Sequence, residues 1–301
     1  MSLKARLQSY FSKPKALNHI GLSLKQQHLD VSVVSPSRTV ETHQLALLDS
    51  QYDNAIASLA EMKVKGLCNL VLSSKQSQIA QVEKPNVPEE EIHDALKWQV
   101  KELVTIEPED MIVDYYDLAV VNAGVERINV VCASKSELSS LVALADRHGF
   151  ALSKITIEEF AFAQLIPYQD DACLLLCQQP GEEMLILVVK QGQLYFQRRL
   201  RGMANIAERS EAELTMGAID SLSLEIQRSI DYFERQLKQA PVKSIQVLVP
   251  MKNEGFLARK LAENATSEVQ LFSMPSGCED EREFAAAIGA SMMTVPEVNS
   301  K

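Results

Sequence analysis

The sequence has no run of 18 or more apolar residues and no apolar stretch of the kind that opens a secretory signal. Neither a membrane span nor an export leader is therefore expected. It also lacks a C-x-x-C pair. Its five cysteines, Cys68, Cys132, Cys173, Cys177 and Cys278, are odd in number, and all but the last lie in apolar, strand-like runs. Cys173 and Cys177 stand four apart on an expected strand, about 13 Å at ~3.3 Å per residue, too far to bridge. They read as core thiols of a reducing compartment, and a cytoplasmic location is the expectation. A basic excess is missing as well. With 30 Lys and Arg against 40 Asp and Glu the net charge is −10, and no nucleic-acid partner is expected. Walker A, G-x-S-x-G and H-E-x-x-H do not occur. His19, His28, His43, His93 and His148 are scattered without metal-ligand spacing, so no metal site is expected.

What is present is the mixture of an ordinary globular protein, 46% hydrophobic and 23% charged, long enough at 301 residues for two domains. One local departure is basic. Residues 1–15 carry Lys4, Arg6, Lys13 and Lys15 and no acid, with Leu3, Leu7, Tyr10 and Phe11 at helical spacing. The segment reads first as a frayed basic terminus and second as a weak contact for an anionic membrane surface. If the protein works at a membrane, something else must hold it there.

Two regions share an order of elements. In the first, Asn18–Leu24, His28–Val34 and Thr39–Leu47 read as strands, Asp53–Lys65 as a helix stopped by Gly66, and Leu67–Leu72 as a buried strand. In the second, Asp171–Cys177, Glu183–Lys190 and Gln193–Leu200 are strands, the last two joined by a Gln191-Gly192 hairpin turn. A helix over Glu211–Gln239 follows, with Ile219, Leu222, Ile226, Ile230, Phe233 and Leu237 on one stripe. Its Asp231–Arg235 and Glu234–Lys238 pairs have stabilising polarity. Strand Ser244–Val249, helix Gly255–Glu263, a strand near Val269–Phe272 and helix Glu281–Met292 complete the region. Runs such as MLILVVK suit parallel strands covered on both faces.

Material between these regions reads as an inserted small α/β subdomain near residues 86–152. A strand at Gln78–Glu83 precedes it. A helix then starts at Pro88 and the acids Glu89, Glu90 and Glu91, with Ile92, Ala95, Leu96, Val100, Leu103 and Val104 as its buried stripe. Strands near Met111–Val121 and Arg127–Ala133, a helix at Lys135–Gly149 and a strand to about Ile157 follow.

The stretch VPEEEIHDALKWQVKELVTIEPEDMIVDYYDL, followed by VCASKSELSSLVALADRHGFALSKITIEEFAFAQL, resembles the inserted subdomain of PilM-type proteins. These are actin-like, FtsA-related components of type IV pilus assembly. LEIQRSIDYFERQ, then a buried strand, Pro275 and AAAIGASMM, is similar to the family's second lobe. The resemblance covers residues 15–293, and within the family the chain is most similar to the component of mannose-sensitive haemagglutinin (MSHA) pilus systems. It implies an α/β chain of the two-lobed actin-like ATPase superfold, a duplicated β-β-β-α-β-α with an inserted α/β subdomain in the first lobe. The implied division is 15–85 plus 153–168 for the first lobe, 86–152 for the insertion and 169–301 for the second lobe.

The resemblance also locates a nucleotide cleft. The first phosphate loop falls on IGLSLKQQHLDV, where Ser23 replaces the family's Asp and Lys25 its Gly. A serine supplies no carboxylate to a Mg²⁺ shell, and a lysine carries a Cβ where a tight glycine turn is wanted. The second loop falls on CQQPGEEML, with Cys177 at the Asp position and Gln179 at the Gly position. There Pro180 removes an amide donor, and Glu182 and Glu183 repel phosphate. The adenine turn falls on VPMKNEG, with Pro250 and Met251 in place of glycines. No cofactor and no catalysis are expected. Mg²⁺·ATP used to regulate assembly or polymerisation is the alternative, and a carbohydrate kinase would lack its catalytic Asp at Ser23 and Cys177. The adjacent Glu158 and Glu159 read as a solvated helix start, and Arg198, Arg199 and Arg201 as solvated residues of a strand end.

For partner binding, Trp98 stands about 150° from the centre of the apolar stripe of its helix. It either seats the insertion on its host lobe or anchors a partner peptide. Of Tyr115 and Tyr116, one must face away from the core and would serve the same groove. The resemblance implies a partner: the cytoplasmic tail of a membrane-anchored PilN-like protein, held between the first lobe and its insertion, with other assembly-platform components as neighbours. Peripheral association with the inner face of the inner membrane would then come through that partner.

Overall fold

Alternation of side chains along NHIGLSL and HLDVSVV builds two faces into the first sheet. In the computed structural model, which describes residues 17–49, 51–120 and 126–293, these runs are β1 (Asn18–Leu24) and β2 (His28–Val34). The basic segment 1–15 lies outside the described residues. Ile20, Leu22 and Leu24 pack into a core under α1 (Tyr52–Glu61) and α3 (Lys135–Arg147), while Gly21 and Ser23 face the opposite side. The sheet continues with β3 (Val40–Ala46), β4 (Gly66–Leu72) and β8 (Leu152–Ile157), in the order β3-β2-β1-β4-β8. Helix α1 ends earlier than expected. Met62 caps it and Lys63 takes the left-handed conformation (φ 57°), so Gly66 opens β4 and does not stop the helix.

The second sheet repeats that order. It runs β11-β10-β9-β12-β13, from β9 (Cys173–Cys177), β10 (Met184–Lys190), β11 (Gln193–Leu200), β12 (Ser244–Leu248) and β13 (Glu268–Leu271). Gln191 and Gly192 both have positive φ, 51° and 71°, as a two-residue hairpin turn requires. MLILVVK is buried on both faces, but β10 is antiparallel to both its neighbours. Its continuous apolar run comes from cover on both faces. Leu185 and Leu187 face the other lobe, while Ile186 and Val188 face α5 (Ile219–Asp231).

The expected helix over 211–239 is not continuous. A Ser210 capping box starts it, Gly217 (φ 101°) breaks it, α5 resumes at Ile219, and a π-helical turn at Tyr232–Gln236 closes it. Its apolar stripe is buried throughout. Asp231 pairs with Arg235 as expected (3.5 Å), whereas Glu234 accepts from the Val242 N–H (3.0 Å).

The insertion is a three-stranded sheet, β5-β7-β6, from β5 (Ser77–Glu83), β6 (Met111–Asp117) and β7 (Arg127–Ser134), with α2 (Ile92–Val100) on one face. Its limits shift from the expected 86–152. β5 pairs along its whole length with β7, while α3 buries Leu141 and Ala145 in the first-lobe core and β8 pairs with β4. The insertion is thus 77–134. Leu103 lies beyond the end of α2 and is exposed, not part of its stripe.

Two helices join the lobes. α4 (Glu158–Leu165) continues from β8 yet packs on β9 and β10, and α7 (Ala285–Met292) continues the second lobe yet lies across β1 and β2. They cross so closely that a Cβ on Gly289 would meet the Ala161 carbonyl oxygen, and α7 lies so close to β1 that one on Gly21 would meet the Ala287 carbonyl oxygen. α7 is fixed to the first sheet by polar contacts as well: Asn69 Nδ2 donates to the Ala290 carbonyl (2.8 Å), and the Ser32 and Ser291 hydroxyls are 3.2 Å apart. All five cysteines are buried and free, and burial pushes the Cys68 and Cys132 thiols up to about 11.

Candidate functional site

The turn between β1 and β2 places Lys25 inside the molecule. Its backbone is held on both sides, by Lys25 N–H to His28 O (3.0 Å) and by the Tyr52 hydroxyl donating to Lys25 O (3.0 Å). The lysine therefore takes an ordinary turn, and its side chain, 2% exposed, projects between the lobes to Glu158 Oε1 (2.8 Å). Arg199, near the end of β11, reaches the other oxygen of Glu158 (3.1 Å) and Glu159 Oε1 (2.7 Å). The reading of Glu158 and Glu159 as solvated is thus corrected: both are fully buried at the first turn of α4, and Arg199 is largely buried with them. The helix start is covered by both lobes, and each acid needs a buried cation to remain there.

The electrostatics divide the two acids. Burial pushes the Glu158 carboxyl up, but Lys25 and Arg199 overcome this and hold it below its ordinary value. Burial also dominates at Glu159, where Arg199 compensates only partly and the Glu158 charge adds to the rise. Glu182, from the β9–β10 turn, is raised by burial and by Glu158, and it accepts from the Ser74 hydroxyl of the first lobe (3.1 Å).

The remaining cleft positions are filled by protein. Ser23 is buried with no hydrogen-bond partner for its hydroxyl, and Cys177 is buried, its thiol pushed well up chiefly by burial. Gln178 donates to the carbonyls of Glu182, Met203 and Ala204, and Gln179 is buried beside it. Pro250 and Met251 lie in a turn closed by Glu254, the first residue of α6 (Glu254–Ala262). Glu254 accepts from the Val249 N–H (2.7 Å) and pairs with Arg282 through two bonds of 2.7 and 2.8 Å. A cavity of about 690 Å³ opens beside the network, lined among others by Ser74, Lys75, Glu159, Glu182, Arg199 and Arg201. None of Ser23, Lys25, Cys177, Gln179, Pro250 and Met251 reaches it. Among the described residues no cluster of His, Cys, Asp and Glu could hold a metal ion.

A second concavity has a different make-up. β6 is an edge of the small sheet and β8 an edge of the first sheet, and a groove of about 640 Å³ runs between them. Ile112, Tyr115 and Tyr116 of β6, Ile155 and Ile157 of β8, and Phe160 of α4 line it. The two tyrosines diverge as strand geometry demands. Tyr115 packs on the core of the insertion with His93 6.0 Å away, and Tyr116 meets Phe160 edge-on at 4.8 Å. A neighbouring cavity of about 840 Å³ shares Tyr116, Thr156 and Phe160 and extends the trough to Tyr168 and Gly192. His93 and Lys97 bring α2 to the rim, but Trp98 does not line the groove. It is 60% exposed on an adjacent face, with the Lys101 ammonium 5.7 Å from its ring. It therefore does not seat the insertion on the lobe. Sequence reading missed Phe160 and Ile155 as groove residues; the exposed β-branched Ile155 in a polar-alternating strand is the signal that could have found them.

No family model and no curated protein matches the sequence. Solved structures do. One is a PilM–PilN type IV pilus biogenesis complex, 14% identical, with a TM-score of 0.66 over 93% of this chain and 98% of that one. Another is the cytoplasmic domain of EpsL, an inner-membrane component of the type II secretion system of Vibrio cholerae: 15% identical, TM-score 0.56, covering 92% and 96%. A third, from Bacteroides thetaiotaomicron, is a protein with an actin-like ATPase fold, 10% identical, TM-score 0.51, covering 90% and 96%. With its duplicated sheet order and crossed central helices, this chain has the two-lobed actin-like ATPase fold.

Proposed function

We propose that the protein is a non-enzymatic scaffold of a type IV pilus assembly platform, of the MSHA type, working at the cytoplasmic face of the inner membrane. Its groove receives the cytoplasmic tail of a membrane-anchored PilN-like partner, and other platform components are its neighbours. The observation that carries this reading is the groove itself: the edge strands of two sheets, β6 and β8, facing one another across apolar walls with no strand between them among the described residues. A strand edge offers unpaired backbone donors and acceptors, and the Ile112, Ile155, Tyr115 and Phe160 side chains offer pockets for alternate residues. The likeness to a structure that contains PilM with PilN supports the choice of partner, and the likeness to a cytoplasmic domain of an inner-membrane component supports the location. No helix among the described residues is long and apolar enough to cross a membrane, which agrees with anchoring through another protein.

The buried ion network at the phosphate-loop positions supports the non-enzymatic part, since the Glu158 carboxylate there is already taken up by Lys25 and Arg199 and the loop positions themselves carry Ser23 and Cys177. Calorimetric titration with synthetic N-terminal tails of candidate partners tests the scaffold reading. Saturable binding that is lost when groove residues are changed is the expected result, and no binding to any tail would defeat it. The alternative, an ATP-binding actin-like protein, draws on the 690 Å³ cavity with Lys75 and Arg201 on its wall. It requires a thermal shift with Mg²⁺·ATP and measurable hydrolysis.

A further inference from the structure

Lys25 and Arg199 belong to different lobes, and they converge on one carboxylate. Lys25 comes from the β1–β2 turn of the first lobe and takes Glu158 Oε1; Arg199 comes from β11 of the second lobe and takes Glu158 Oε2. Each oxygen thus receives one charge-assisted bond, Oε1 from the first lobe at 2.8 Å and Oε2 from the second at 3.1 Å, in a place where lysine and glutamate are both 2% exposed. An anion that ties two lobes together by accepting from both is the role a phosphate group plays in a two-lobed nucleotide cleft. We propose that Glu158 is a resident anion, standing in place of a phosphate between Lys25 and Arg199 and holding the lobes together without any ligand.

Several features of the surroundings favour a permanent occupant. Glu158 is the first residue of α4, whose remaining turns are packed between the lobes by Ala161, Phe162 and Leu165, so the carboxylate is positioned by the core and not by a mobile loop. The turn that carries Lys25 is pinned at its N–H and its carbonyl. A second tie crosses the lobes alongside, from Ser74 to Glu182. The charge balance also opposes a further anion. The carboxylates of Glu158, Glu159 and Glu182 outnumber the buried cations Lys25 and Arg199, and the buried acceptors Glu159 Oε2, Gln178 Oε1 and Gln179 Oε1 lack donors among the described residues. An added phosphate would meet a surplus of negative charge and of acceptors.

This inference deepens the non-enzymatic reading of the cleft and is independent of the tail-binding reading. It is tested by anion rescue of the full chain. Glu158→Ala removes the carboxylate and leaves Lys25 unpaired in a space the size of a small anion. The variant is expected to melt at a lower temperature than the wild type. Formate, phosphate or pyrophosphate should then raise its melting temperature along a saturating curve that chloride at equal ionic strength does not reproduce. Lys25→Met in the same variant should abolish the response, and the wild type should show none. Should the alanine variant not fold, Glu158→Ser, which leaves nearly the same space open, carries the same comparison. A silent wild type together with no specific anion response in either variant overturns the resident anion while leaving a non-enzymatic cleft in place. Saturable pyrophosphate binding to the wild type overturns both.

Discussion

Between the lobes, Lys25, Glu158, Glu159 and Arg199 are buried and paired with one another, one oxygen of Glu159 excepted, whereas between the small sheet and the first lobe Ile112, Ile155, Tyr115 and Phe160 border open space. Both concavities sit on the same fold and share α4, which gives its first residues to the cleft and Phe160 to the groove. The comparison separates inheritance of shape from inheritance of chemistry. Where charged side chains of the two lobes meet they have found protein partners, and where two sheet edges face one another no further strand lies between them among the described residues.

The comparison is broken most severely by unpairing the cleft. Lys25→Met leaves Glu158 buried with Arg199 alone, and removal of one partner of a buried pair costs about 3–5 kcal/mol. Denaturant unfolding should show a loss of that order with an unchanged slope. A loss below about 1 kcal/mol, the scale of exposed pairs, would mean that the network holds nothing together. The same change should leave tail binding in place, because Lys25 does not line the groove.

Next in size is a charge placed in the groove. Ile155 is 38% exposed on an edge strand, so Ile155→Asp should cost folding only about 1 kcal/mol. It should nonetheless weaken tail binding at least about tenfold, or about 1.4 kcal/mol, by setting an unpaired carboxylate against an apolar segment. Calorimetry on the folded variant reads this directly, and an unchanged affinity would move the partner elsewhere.

The aromatic residues sharpen where the groove ends. Tyr115 lines it and Trp98 does not, although both were candidates from sequence. Tyr115→Ala should therefore weaken tail binding by more than Trp98→Ala. The tryptophan change, at a position 60% exposed, should alter stability by less than about 0.5 kcal/mol. The reverse ranking would place the binding surface on the outer face of α2, beside Lys101.

Much of the fold was legible because period-2 alternation and continuous apolar runs survive in the sequence. β1, β2 and β11 have the expected bounds, and the turn at Gln191-Gly192 has the conformation its residues imply. What failed was membership, since β5 and α3 were recognised as elements but assigned to the wrong sides of the insertion boundary, while β8 fell on the right one. Local pattern says that a strand exists; the partner it pairs with is decided by long-range register, as in β5 with β7. Glu158, Glu159 and Arg199 were misread for the same reason. A charged residue looks solvated until a cation more than a hundred residues away is known to meet it, as Lys25 meets Glu158. Lys25 and Ser23 were found only as departures from a family's pattern, which located the site without revealing that one departure supplies a new bond.

The smallest expected effect is on pH dependence, and it distinguishes two neighbouring acids. Glu158 is held below its ordinary value of 4.5, so its contribution to stability is present above that value and is lost as pH falls through the lower folded value. Glu159 and Glu182 are raised, chiefly by burial, so the fold favours their protonated forms. Their contribution is complete below the ordinary value and is lost as pH rises through the raised ones. The opposed signs partly cancel in the wild type. Glu159→Gln removes one declining contribution while keeping the shape and leaving Arg199 its bond to Glu158. Its stability relative to the wild type should therefore rise as pH is taken from 4.5 toward neutrality, whereas that of Glu158→Gln should fall as pH is raised up to about 4.5 and stay level above it. Denaturant midpoints of the three proteins at matched ionic strength measure both slopes. Parallel curves would mean that the two carboxylates share one environment, and that the division between a paired acid and a proton-holding acid is wrong.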